Sequence, residues 1–166
     1  MHFLKIIRGV ATLFCVAGIL LLLDLENRHS GKENEITKIA ILKMASRKVL
    51  DEAEEGILAS FTERGFINGK NCSITRYCAD GEMPVANMFA QNIIGSRFDI
   101  VVTISTPALQ VMANTNRKGK VTHVFCAVTD PYASGVGITG PAPDQHPAHL
   151  VGIGTFQPVE QTFAIA

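Results

Sequence analysis

Phe98-Asp99-Ile100-Val101-Val102-Thr103-Ile104-Ser105-Thr106-Pro107 is the stretch on which the reading of the fold turns. From Ile100 to Ile104 it is rich in β-branched residues and shows no apolar/polar alternation. That is the pattern of a central strand covered on both faces of a parallel sheet. It runs directly into Ser-Thr-Pro, where a proline in the first turn and hydroxyl-bearing residues before it open a helix. A doubly buried strand that passes straight into a helix is half of a βαβ crossover, so the flanking sequence should repeat the alternation.

It does. Upstream, Lys38-Ile39-Ala40-Ile41-Leu42 reads as a strand. Residues 47–64 carry Val49, Leu50, Ala53, Ile57, Leu58 and Phe61 at spacings of three and four, one apolar stripe of a helix. Asp51, Glu52, Glu54, Glu55 and Glu63 fall on its other face, Ser46 is placed as N-cap, and Gly65 stops the helix. A turn at Asn68-Gly69-Lys70 leads to a strand over 72–77, and 83–94 reads as a helix with Val85, Met88, Phe89 and Ile93 inward. Downstream, a helix over 108–114, a strand over 120–127 and a short strand over 150–153 follow, with Gln157-Pro158-Val159-Glu160 starting another helix. Strands and helices alternating at this spacing predict an α/β fold: an open parallel sheet with right-handed crossovers and helices on both faces.

Composition narrows the function. Fifteen basic and fifteen acidic residues in 166 leave no net charge, so nothing points to nucleic acid as a partner. Lys5 and Arg8 precede fourteen uncharged residues, Val10 to Leu23, the layout of an export signal or an uncleaved membrane anchor. Residues 1–30 are therefore assigned to a leader that keeps its basic side in the cytoplasm and sends residues 31–166 outside it. Cys72, Cys78 and Cys126 lack metal-ligand spacing and read as small apolar packers. His146 and His149 lie in a proline-rich loop and read as solvated, and His123 alternates within a strand as a structural histidine.

In open α/β sheets ligands bind beyond the carboxyl ends of the strands. The residues there are Lys43-Met44-Ala45-Ser46, Ser105-Thr106-Pro107 and Val128-Thr129-Asp130-Pro131. The first turn contains no glycine, which excludes a Rossmann fingerprint and a P-loop. Nucleophile elbows, zinc-protease motifs and paired carboxylates on successive strand ends are also missing, so no catalytic residue, metal or cofactor is expected. Ser105 and Thr106 combine hydroxyls with the free amides of a helix N-terminus, a place for an anion such as a carboxylate, beside a role in simple capping. Asp130 is the one acidic residue at a strand end, with a turn beside Pro131 as its competing role.

The order of KIAILKMASRKVLDEAEEGILASFTERGF, NGKN, FDIVVTISTPALQ, VFCAVTDP and PVEQ resembles the ABC transporter substrate-binding proteins of the tryptophan/tyrosine-binding type. Their fold is that of type 1 periplasmic binding proteins, and the likeness covers about residues 36 to 166. The resemblance implies that residues 31–166 are the first of two α/β lobes, the second being absent from this sequence. It implies an importer component that binds a small amino-acid-like solute, aromatic in some members, and hands it to a membrane permease. Met44, Ser46, Ser105, Thr106, Thr129 and Asp130 would face that solute. Thr106 would take its carboxylate, Asp130 its amino group, and Met44 and Tyr132 would supply apolar wall. Two other readings stand beside this one: a membrane-anchored sensory or protein-interaction domain built on the same lobe, and a small flavodoxin-like enzyme.

Overall fold

The computed structural model describes residues 36–155. The predicted leader, the linker that follows it and the helix expected from Gln157 lie outside the described residues. Within them the order is β1 (Thr37–Lys43), α1 (Lys48–Glu63), β2 (Cys72–Cys78), α2 (Met83–Gly95), β3 (Ile100–Ile104), α3 (Thr106–Thr115), β4 (Thr122–Val128) and β5 (Leu150–Gly154). The five strands form one parallel sheet in the order β2-β1-β3-β4-β5. From β1 in the interior the path steps outward to β2 and returns past β1 to build the other side. The β4–β5 crossover is made by loop with a single 3-10 turn, Pro143–Gln145, in place of an α-helix.

Alternation along the strands sorts the core into two faces. Ile39, Ile41, Val102 and Ile104 point to one side and pack against Leu50, Ala53, Ile57 and Phe61 of α1. Ala40, Leu42 and Val101 point to the other, against Ala86, Ala90 and Ile93 of α2 and Ala108, Val111 and Met112 of α3. Helices on both faces are what the unalternating β3 sequence requires. Each such buried branched side chain contributes about 1.5–3 kcal/mol relative to exposure, and the central strands carry most of them.

α1 stops as its sequence dictates. Gly65 takes φ +84°, its amide donates to Thr62 O at 3.0 Å, and the Phe66 amide donates to Phe61 O at 2.8 Å. This is a Schellman motif, completed by edge-on packing of the Phe61 and Phe66 rings with centroids 6.0 Å apart.

Three local expectations are corrected. Met88 of α2 is 56% exposed, and Ala86 and Ala90 face the sheet in its place. Small residues let α2 approach closely, so the inward stripe is displaced from the large side chains. The N-cap of α1 is Arg47, and the Ser46 hydroxyl instead reaches Asp51. Glu54, assigned to the solvent face of α1, is only 5% exposed. The alternation of β1 turns Lys43 onto the α1 face, and the carboxylates of α1 fold inward to neutralise it.

Candidate solute-binding edge

The register fixes which residues share the carboxyl edge. Cys78, Lys43, Ile104 and Cys126 are paired across β2, β1, β3 and β4. The next residues along the chain, Met44, Ser105 and Ala127, therefore form the rim. β1 and β3 are neighbours whose following helices lie on opposite faces, α1 on one and α3 on the other. That divergence opens a crevice at the switch point of the sheet.

Backbone strain concentrates on this rim. Ser105 sits at φ +98°, ψ +156°, and its neighbour on β4, Ala127, at φ +52°. Each costs about 1–3 kcal/mol in a residue with a side chain. The two are tied together, because the Ser105 amide donates to Cys126 O at 3.2 Å. Ala127 lies in a register shift of β4 against β5 between Phe125 and Val128, and such a bulge re-aims the residues that follow, here Thr129 and Asp130.

Ser105 precedes α3 as its N-cap, yet its side chain makes no capping bond. Its Oγ is buried without a hydrogen-bond partner among the described residues. The expected capping role is thus not filled, and a polar atom that ordinarily finds a partner is left at the mouth of α3. Thr106 begins the helix and is half-buried. The unbonded amides of the first turn and the positive end of the helix dipole lie at the same place.

On the β4 side, Thr129 and Asp130 are both exposed. Asp130 Oδ1 accepts from the Tyr132 amide at 2.9 Å and the Ala133 amide at 3.0 Å, so the aspartate shapes its own turn with one oxygen. On the β1 side, Ser46 is exposed, whereas Met44 is 9% exposed and packs into the core with Ala79 and Ala86. Ser46, Ser105, Thr106, Thr129 and Asp130 therefore come to one edge, with Met44 largely beneath it.

Sequence reasoning passed over the charge cluster below this edge. Lys43 Nζ donates to Asp51 and, at 2.6 Å, to Glu54 Oε2; Arg76 Nε of β2 reaches Glu54 Oε1 at 2.7 Å. Two cations and two anions close the set. Burial pulls the Lys43 ammonium down, but the two carboxylates outweigh it and leave its pKa above the ordinary value. The hydrogen bond from Lys43 holds the Asp51 carboxyl below its usual range. A lysine at the end of an apolar strand, eight and eleven residues before Asp51 and Glu54, was the available signal.

A separate hollow lies away from this edge. A cavity of about 210 Å³ under the β4–β5 connection is lined by Phe125, Pro131, Tyr132, Ile138, His146 and Leu150. Among the described residues no group of three His, Cys, Asp or Glu is placed to hold a metal ion, and no helix is long and apolar enough to cross a membrane.

An open parallel sheet of this order, with its polar edge at the switch point, is a lobe of the type 1 periplasmic binding protein fold. The chain belongs to the ABC transporter substrate binding protein family, whose model matches residues 38–163. Solved structures agree. A conserved domain protein from Vibrio cholerae superposes with a TM-score of 0.72 at 26% identity, covering 79% of this chain and 43% of its own. A ligand-free, open substrate-binding protein with adhesive properties from Clostridium difficile gives 0.70 at 24%, covering 78% and 42%. An ABC domain from Streptococcus pneumoniae in complex with L-Trp gives 0.68 at 23%, covering 76% and 41%. The chain thus spans less than half the length of each of these structures. No curated protein matches its sequence.

Proposed function

We propose that residues 36–155 form one wall of a solute cleft in the substrate-binding component of an ABC importer, acting outside the cytoplasmic membrane and delivering a small amino-acid-like solute to a permease. The observation that carries this reading is Ser105: a strained residue whose buried hydroxyl has no partner among the described residues, at the N-terminus of α3 and the switch point of the sheet. The solute carboxylate lies against Thr106, the Ser105 hydroxyl and the first-turn amides, where the helix dipole favours negative charge. Asp130 retains Oδ2 for an ammonium on the β4 side, and Thr129 borders it. Binding to one wall alone is weak, because a second lobe must desolvate the solute and supply the remaining contacts. The L-Trp bound by the Streptococcus pneumoniae relative makes aromatic amino acids the first solutes to try.

The test is a thermal-shift and ligand-observed NMR screen of the twenty L-amino acids against the full chain. A ligand that binds the folded state raises the melting temperature in proportion to the logarithm of its concentration above Kd. At least one amino acid should do so at millimolar concentration, and Thr106→Ala and Asp130→Ala should each weaken it. Saturable binding that neither variant alters would place the solute elsewhere.

A further inference from the structure

The hydrogen bonding below the edge determines what Ser46 can offer a solute, an inference that rests on the reading just given. Ser46 Oγ lies 3.0 Å from Asp51 Oδ2 and 3.2 Å from Oδ1. A carboxylate has no proton to give, so Ser46 must be the donor in that contact. Asp51 stays ionised because Lys43 donates to it from the β1 side, and Lys43 is itself fixed by buried Glu54, which Arg76 holds in turn. The cluster is electrically closed, so nothing in it draws the Asp51 charge away from Ser46. The single hydroxyl proton of Ser46 is committed inward, and the exposed side of the oxygen carries only lone pairs.

Ser46 stands at the end of β1, on the opposite side of β3 from Asp130. Strands spaced about 4.8 Å apart put the β1 and β4 ends about 10 Å from each other. A solute carboxylate at Ser105 and Thr106 therefore has an acidic neighbour on the β4 side and Ser46 on the β1 side. We infer that Ser46 is a specificity-determining acceptor, which takes a hydrogen bond from an N–H or O–H donor of the solute on the β1 side of its carboxylate. Solutes offering only an acceptor or an apolar group there are disfavoured, because they leave that oxygen unpaired on closure.

The experiment compares solutes that differ by one donor: L-tryptophan with 1-methyl-L-tryptophan, and L-tyrosine with L-phenylalanine. Affinities are read by ligand-observed NMR on the full chain and on Ser46→Ala, an exposed position whose loss leaves the core untouched. In the unmodified chain one donor deletion should cost about fivefold, the scale of a single neutral hydrogen bond. In Ser46→Ala the parent should fall to the affinity of its analogue, closing the gap. Binding of the parents with no gap, or a gap that survives in Ser46→Ala, overturns the role of Ser46 and leaves solute binding standing. Absence of saturable binding by every probe overturns both.

Discussion

Thr103 and His123 meet in the middle of the sheet, Oγ1 of one 2.9 Å from Nε2 of the other, both fully buried on adjacent strands. The second ring nitrogen of His123, Nδ1, has no partner among the described residues. Protons on both ring nitrogens would place a charge in the core with the Nδ1–H unanswered. Burial, with a smaller contribution from nearby His149, accordingly lowers the His123 pKa from 6.5 to about 3.

The sign follows from linkage. The unfolded chain takes up a proton near the ordinary histidine pKa and the folded chain does not, so stability is full above about pH 6.5 and falls as pH drops towards 3. Urea midpoints between pH 7 and pH 4 should therefore decline, by up to about 1.4 kcal/mol per pH unit from this one residue. His123→Gln, which keeps an amide for Thr103, should flatten that part of the slope. An unchanged slope would mean that other groups carry it.

Ser105→Gly should stabilise the fold. Relief of a φ of +98° is worth about 1–3 kcal/mol, against about 0.5–1 kcal/mol lost to the extra freedom of glycine in the unfolded chain. No capping bond is forfeited, because the Ser105 side chain makes none. A net gain of roughly 1 kcal/mol is expected from urea titration, together with weaker solute binding. A loss of stability would show that the strain is not there.

Lys43→Met should destabilise the fold, because buried Glu54 loses one of its two cations. Glu54 keeps Arg76, but Asp51 loses the cation that fixes it. Chemical denaturation measures the loss, and it should persist at high salt, because buried pairs are screened far less than surface ones. A variant as stable as the parent would remove Lys43 from the structural account.

Gly152→Ala should loosen β5. A Cβ at this position would stand 2.1 Å from Phe125 O and 2.5 Å from the Phe125 ring. The obstacle includes backbone, so the strand itself must shift, at a cost of roughly 2–3 kcal/mol. Faster amide exchange across Leu150–Gly154 should accompany it, whereas Gly56→Ala, which meets open space, should not produce it.

The elements most legible in the sequence were those whose packing is one-sided in its demands. Ile100 to Ile104 carries no polar residue to leave exposed except Thr103, so it had to be covered on both faces. Gly65 sits where only a left-handed residue ends a helix. What was hidden depended on partners distant in sequence. Glu54 reads as a solvent residue until β1 places Lys43 opposite it. Ala86 and Ala90 are weak in any hydrophobic pattern, and only a close helix–sheet approach makes them the inward face. The edge was legible at the level of strand ends: Ser46, Ser105, Thr106, Thr129 and Asp130 do gather there. That Ser105 declines to cap its helix, and that Ala127 bends β4, follow from dihedral angles that residue types do not encode.

The hydrogen bond between the Ser105 amide and Cys126 O ties the two strained turns to each other. A displacement of one turn is therefore passed to the other through this bond. Under the proposed function, capture of a solute at turns held in this way is governed by diffusion and orientation. Substitutions on this lobe should consequently alter how long a solute stays far more than how quickly it arrives.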